Sequence, residues 1–305
     1  MVIISKPKVF VVIPNKNGMK HLSYSIPSLM KTTYDNCYTV VIDDNSEDDS
    51  LEFIKKEYPG VKVLKNENRK GFAGGVNTGI EYGLGQGADY IAIANSDIKV
   101  LPEWIKRSLE IFSKISDAGL IGFTELALHR SELFYKNQNL KLEYKQVKSL
   151  PGCLYLCPSE VFKYVGLFDE KYYMYGEDND FFIRLRKAGY LILQTNIPVW
   201  HYSEGAARGN SLMPTWLAYR NALRCAIKNE NIKGILRMLL ALFYHGCNPF
   251  LNRKIDEPVL KRMRRYNVLI SFGLITGSCL WNLSNIISTL KARYKDNLRI
   301  TGGRI

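Results

Sequence analysis

The chain has 305 residues, 46% of them hydrophobic and 23% charged, with a formal net charge of +13. This is a globular composition, which excludes a disordered, collagenous or small disulfide-stapled protein. The basic excess points to nucleic acid, an acidic membrane surface or phosphorylated ligands.

The N-terminus, MVIISKPKVFVVIP, has no long apolar run after its first basic residue, so no signal peptide is expected and Lys8 to Ile13 reads as a buried strand. Pro14 stops it, and a polar PNKNG turn leads to a helix over His21–Thr33. Thr39–Ile42 is a second strand, running into the acidic stretch Asp43-Asp44-Asn45-Ser46-Glu47-Asp48. A helix (Ser50–Tyr58), a strand (Val61–Lys65), a Gly-rich turn (Asn66–Gly75) and a helix (Gly74–Leu84) follow. Tyr90–Ala94 is a further strand, short and apolar as if buried on both faces. Strands and helices alternating in this way make βαβ units and a parallel sheet. No GxGxxG follows the first strand and no Walker lysine is present, so neither a dinucleotide site nor a P-loop is expected.

Past Ala94 the chain reads as a helix from Pro102 to about Ile115, a strand over Ala118–Glu125, an irregular polar segment from His129 to Lys148, and a helix over Ser159–Val165. A helix over Asp180–Ala188 and a strand over Leu191–Trp200 close this part. Six cysteines, with no CxxC spacing, are expected as free thiols in a reducing cytoplasm.

Two stretches carry chemistry. Asn95-Ser96-Asp97 ends a buried strand, where a carboxylate is costly unless its charge is used, and where α/β sheets bind ligands. A divalent cation carrying a diphosphate is one user; an ordinary Asx turn is the plain alternative. In YYMYGEDNDFF, Glu177, Asp178 and Asp180 crowd the start of a helix. Helix capping explains one such residue, and the cluster invites acid–base work. His201, delivered at the end of a strand before a Ser/Gly loop, suits a metal ligand, whereas His21, His129 and His245 have no such setting.

These pieces in order, VVIPNKNG, VIDDNSEDDS, NRKGFAGGVNTGI, IANSDI, GLFDEKYYMYGEDNDFFIRLRKAGY and VWHYSEGA, resemble a family-2 glycosyltransferase of the GT-A fold, the branch that includes rhamnosyltransferases. The resemblance implies an α/β, mostly parallel mixed sheet flanked by helices over residues 1–212, with a helical, basic appendage over 213–305. It implies inverting transfer of rhamnose or another hexose from a dTDP-, UDP- or GDP-sugar to a hydroxyl of a glycan or polyprenyl diphosphate-linked acceptor. Asp43, Pro14 and Asn17 would bind the nucleoside; Arg69, Gly71 and Asn77 would border the nucleotide and its diphosphate. Asn95, Ser96 and Asp97 stand where the family has its DxD motif, with Asn95 replacing the first acid. Asp97 and His201 would hold Mg²⁺ or Mn²⁺. Asp178 would be the general base, Glu177, Trp200 and Arg220 would meet the acceptor, and Asp180 would cap or brace its helix. Physical reasoning alone does not separate Asp178 from Glu177.

In the tail, Thr215–Lys228 reads as an amphipathic helix with Arg220 and Arg224 on one face, for which solvent exposure is the plain expectation. Ile232–Cys247 is apolar, a basic run occupies 253–265, and Val268–Leu290 is 23 residues without a charge. That is long enough to span a bilayer, but its Asn, Ser and Thr residues favour helices lying in the interface or packed in a homodimer. Residues 251–305 hold eleven Lys or Arg against three Asp or Glu. Cations beside apolar helices fit an anionic inner leaflet better than nucleic acid, so a cytoplasmic, membrane-peripheral enzyme is expected. The alternative activity is nucleotidyl transfer to a sugar phosphate, which would call for a Gly-rich basic loop that PNKNG does not supply.

Overall fold

The computed structural model describes residues 6–126, 141–202, 212–247 and 266–302. His129, the basic run 253–265, the loop 203–211 and the side chains of His245 and Cys247 lie outside the described residues. One mixed sheet is built from β1 (Val9–Asn15), β2 (Cys37–Asp43), β3 (Lys62–Lys65), β4 (Tyr90–Ala94), β5 (Ile98–Val100), β6 (Ala118–Leu126), β7 (Tyr144–Gln146), β8 (Leu154–Pro158) and β9 (Leu191–His201). Its order is β3-β2-β1-β4-β8-β6-β9-β5, with β7 also on β9. The strands β3, β2, β1 and β4 are parallel, as are β6 and β9; β8 runs antiparallel between β4 and β6, and β5 and β7 antiparallel to β9.

Alternation along β1 feeds two layers. Val9, Val11 and Ile13 pack with Leu22 and Ile26 of α1 (Met19–Met30) and Trp104 of α4 (Trp104–Phe112). Phe10 and Val12 pack on the other face with Val76 and Ile80 of α3 (Gly71–Gly85) and Phe181 and Phe182 of α6 (Glu177–Lys187). The shorter α2 (Ser50–Glu57) and α5 (Ser159–Val165) complete the layers. From β1 the chain turns to β2 on one side and later to β4 on the other, which opens a crevice at the carboxyl ends of β1 and β4. Asn15, Asp43, Ala94, Leu126 and His201 all end strands at this one edge.

Several expectations are corrected. The strands β5, β7 and β8 were not anticipated: β5 has three residues, β7 is exposed and shows no apolar alternation, and LYLCP is too short for periodicity to distinguish strand from helix. The helix α3 starts at Gly71, within the expected turn, and α6 starts at Glu177, so Glu177 and Asp178 lie inside its first turn.

From Leu212 onward the described chain is helical: α7 (Met213–Asn229), α8 (Ile232–Cys247), α9 (Val268–Ser284) and α10 (Ile286–Thr301). The uncharged 268–290 stretch is not one helix, because α9 and α10 bend by 66° at Asn285; among the described residues no single helix is long and apolar enough to cross a membrane. Polarity in this pair is inverted. Ser271, Ser278, Asn282 and Thr289 are buried, with Asn282 donating to the Arg220 carbonyl of α7, while Leu269, Leu280, Leu283 and Ile287 are exposed. Arg220 and Arg224 are likewise buried and not at the solvent face.

An ion network ties these helices to the sheet domain. Asp180 of α6 accepts from Arg184 at 2.9 Å, from Lys228 at 2.8 Å and from Asn229 at 2.8 Å. Lys228 also meets Asp296 of α10 at 2.8 Å, and Arg224 meets Asp169 at 2.7 Å. Burial alone would raise the Asp180 pKa, but Arg184 and Lys228 outweigh it and bring it down to about 2. Asp180 thus braces α6 against α7 and does not cap it.

Candidate active site

The acidic doublet after β2 divides its work. Asp44 accepts the backbone N–H groups of Lys70 (2.8 Å) and Gly71 (2.9 Å) and the side chain of Asn66 (3.1 Å), so its carboxylate sits against the positive end of α3. Asp43 is fully buried; one oxygen accepts Ser46 N–H at 3.1 Å and the other has no partner among the described residues. A buried carboxylate oxygen without a donor is costly, and a base N–H would relieve it. Pro14 and Asn17 flank the same edge, Asn17 with a left-handed φ of 52° and its side chain accepting from Glu47 N–H at 2.8 Å. Arg69 is exposed on the turn before α3.

The other side of the crevice gathers at the ends of β4, β6 and β9. The short β5 pairs with β9 so that Ile98 lies opposite His201, which brings Asp97 to the imidazole. His201 Nε2 lies 3.1 Å from Asp97 Oδ1 and 3.3 Å from Asn95 Nδ2, and Nδ1 lies 2.6 Å from Glu125 Oε1. Burial opposes the imidazolium, but the bonds to Asp97 and Glu125 prevail and raise its pKa to about 9. A carboxylate on Nδ1 is the arrangement that orients a metal-binding histidine. Oxygen and imidazole donors fit Mg²⁺ or Mn²⁺, so Asp97 and His201 Nε2 could hold the cation with Glu125 behind the ring.

A second grouping overlaps it: Glu125, Cys153 and His201 place ligand atoms within 4.8 Å of one another. Burial, with Glu125 and Asp97 nearby, pushes the Cys153 thiol well above its usual range, and a neutral thiol is a poor ligand for a hard cation. The Asp97 side of the ring is the better fit. Glu125 and Cys153 carried no signal in the sequence, since they meet His201 across the sheet from 76 and 48 positions away.

Glu177 and Asp178 are separated by burial. Glu177 is 6% exposed, while Asp178 is half-buried, with Oδ1 accepting from Asn179 N–H at 2.8 Å. A Cβ placed on Gly152 would lie 3.2 Å from Asp178 Oδ2. The next residue, Cys153, accepts from Asn95 N–H at 2.9 Å. Two consecutive residues therefore join the Asp178 carboxylate to the Asn95–Asp97 turn.

Other residues named from the sequence have different surroundings. Asn77 is buried and clamps the 168–170 turn, donating to Phe168 O (2.9 Å) and Glu170 (3.1 Å) and accepting from Phe168 N–H (3.0 Å). Gly71 has φ +70°, and a Cβ there would lie 2.5 Å from the Tyr173 ring, so what approaches it closely is Tyr173. Trp200 is buried against Tyr24, ring centroids 5.3 Å apart, on the opposite side of β9 from His201. Arg220 donates to the carbonyls of Lys171 (3.0 Å) and Tyr172 (2.7 Å).

Residues 10–171 match the family model described as glycosyl transferase family 2. The chain is 28% identical over 317 residues to an uncharacterized glycosyltransferase of Rickettsia typhi, covering 97% of this chain and 94% of the relative. It is 27% identical over 209 residues to the N-acetylglucosaminyl-diphospho-decaprenol L-rhamnosyltransferase of Mycobacterium tuberculosis, covering 56% of this chain and 68% of the relative. Its fold is similar to that of a mannosyltransferase of Pyrobaculum calidifontis solved with GDP-Man and Mn²⁺, with TM-score 0.57, 13% identity, and 97% and 85% of the two chains covered.

Proposed function

The chain belongs to glycosyl transferase family 2, and from that premise we propose that it transfers a sugar, with inversion, from a nucleotide-sugar donor to a hydroxyl of a lipid-linked glycan, with Asp178 as general base. Family membership removes the ground for nucleotidyl transfer. One observation supports the reading: the half-buried Asp178 carboxylate lies beside Gly152, and the next residue, Cys153, accepts the Asn95 N–H of the turn that carries Asp97, beside the carboxyl end of β4.

In this reading Asp43 offers its free oxygen to the nucleobase, with Pro14 and Asn17 beside it. Asn95, Ser96 and Asp97 face the diphosphate and donor sugar, and exposed Arg69 adds positive charge to that edge. A Mg²⁺ or Mn²⁺ ion held by Asp97 and His201 would offset the charge developing on the departing diphosphate. Asp178 accepts the proton of the acceptor hydroxyl as that oxygen attacks from the opposite face. Glu177, more deeply buried than Asp178, borders the acceptor side.

The acceptor class draws on two supports. The mycobacterial relative is named for a glycan on a polyprenyl diphosphate. The inverted polarity of α9 and α10 turns apolar side chains outward, with Lys291 and Lys295 exposed in α10, as suits docking on an anionic membrane surface. In this reading residues 1–212 form the transferase domain and 213–305 its membrane-facing helical part.

A donor panel tests the reading. Purified protein with Mn²⁺ or Mg²⁺ is offered dTDP-, UDP- and GDP-sugars, including a rhamnosyl donor, with and without a polyprenyl diphosphate-linked N-acetylglucosamine. One donor is expected to turn over, Asp97→Asn to lose cation-dependent turnover, and Asp178→Asn to lose transfer while still binding the donor. Donor binding lost in step with transfer in Asp178→Asn would overturn its role as base.

A further inference from the structure

The hairpin that delivers Asp178 does not hold its own shape. Tyr173 has φ 63° and ψ −59°, and Met174 N–H reaches back to Tyr172 O at 2.7 Å, which makes a γ-turn of the rare, strained kind. Tyr175 has φ 69° and Gly176 φ 88°, so three of the four residues before Glu177 lie in the left-handed region. Two of them are tyrosines, for which that conformation is disfavoured and persists only where the surroundings enforce it.

The enforcement comes from α7. Asn221 is 1% exposed, and its Nδ2 donates to the carbonyls of Tyr172 (2.9 Å), Met174 (2.8 Å) and Tyr175 (2.6 Å). Its Oδ1 accepts from Arg220 Nε at 2.8 Å; because arginine only donates, this fixes which way the amide points. The same guanidinium donates to Lys171 O and Tyr172 O and lies between the rings of Trp216 (5.1 Å) and Trp281 (4.4 Å). Trp281 belongs to α9, and Asn282 next to it holds the Arg220 carbonyl at 2.9 Å.

We infer that Asn221 and Arg220 are positioning residues for the general base: α7, backed by α9, clamps the strained 172–176 hairpin and so sets where the Asp178 carboxylate stands. This rests on the reading of Asp178 as the base. It replaces the acceptor contact expected for Arg220. It also makes the C-terminal helices a working part of the active site, although they contribute no reacting group.

The test compares Asn221→Ala, Asp178→Asn and the parent in steady-state transfer, with donor and Mn²⁺ affinities measured by calorimetry and folding by circular dichroism. Asn221→Ala is expected to lower kcat tenfold or more at unchanged Mn²⁺ affinity and with donor affinity moved far less than kcat, because Asn221 bonds only to the Tyr172, Met174 and Tyr175 carbonyls and to Arg220, and of the residues assigned to the donor only Gly71 borders this segment, through Tyr173. A folded Asn221→Ala with kcat within twofold of the parent overturns the inference, as does donor affinity falling in step with kcat. If Asn221→Ala does not fold, Arg220→Lys decides by the same readouts, since it keeps the charge between the two rings but loses the fork. Transfer surviving in Asp178→Asn overturns the base assignment itself. Transfer lost there but kept in Asn221→Ala overturns the clamp alone.

Discussion

Glu125 Oε1 lies 2.6 Å from His201 Nδ1, on the side of the imidazole away from Asp97, whose Oδ1 is 3.1 Å from Nε2. The ring is thus held between two carboxylates, Glu125 of β6 and Asp97 of the turn between β4 and β5. A cation shared by Asp97 and Nε2 would displace the Nε2 proton, while Nδ1–H stays directed at Glu125.

Glu125→Ala is therefore expected to weaken Mn²⁺ binding by roughly 10- to 100-fold while leaving the fold intact. Titration of free Mn²⁺ by electron paramagnetic resonance measures it directly. Affinity equal to the parent would separate Glu125 from the cation site.

The Asp180 network predicts acid sensitivity. Its pKa in the fold is about 2 against an ordinary 3.8, so the unfolded chain takes up the proton first. The carboxylate's contribution, about 2 kcal/mol, is fully present above pH 4 and is lost as pH falls toward 2. Asp180→Asn leaves Arg184 and Lys228 without their central counter-charge and is expected to destabilise the fold by roughly 3 kcal/mol or more. Thermal melts between pH 6 and 2 check both statements: the parent's Tm should drop steeply below pH 4, and the variant's drop there should be shallower.

The outward face of α9 and α10 is expected to bind bilayers. Leu283 is 66% and Ile287 69% exposed. The protein should co-sediment with phosphatidylcholine vesicles containing phosphatidylglycerol, less with phosphatidylcholine alone, and less again as salt is raised. Replacing Leu283 and Ile287 by Asp should cut binding about tenfold or more. A protein that ignores both vesicles but forms a dimer broken by these changes would assign the face to a second copy of the chain.

The motifs that end strands were legible because chemistry at a strand end is local: a buried apolar run followed by Asn95-Ser96-Asp97, or by His201, shows itself in a few consecutive residues. The cluster of acids at Glu177–Asp180 was legible for the same reason, though not the division of roles within it. Only burial separates Glu177 from Asp178, and only the pairing with Arg184 and Lys228 turns Asp180 from a cap into a brace.

By itself the sequence determined the alternation of strands and helices and the carboxylates that end them, because periodicity and turn chemistry act over a few neighbours. Tertiary structure alone decided that Glu125 stands behind His201, that Asn221 holds the hairpin before Asp178, and that α9 faces its polar side inward. Those are contacts between residues 46 to 76 positions apart, or choices of which face a helix buries. Both depend on how the layers pack, which no local pattern of residues encodes.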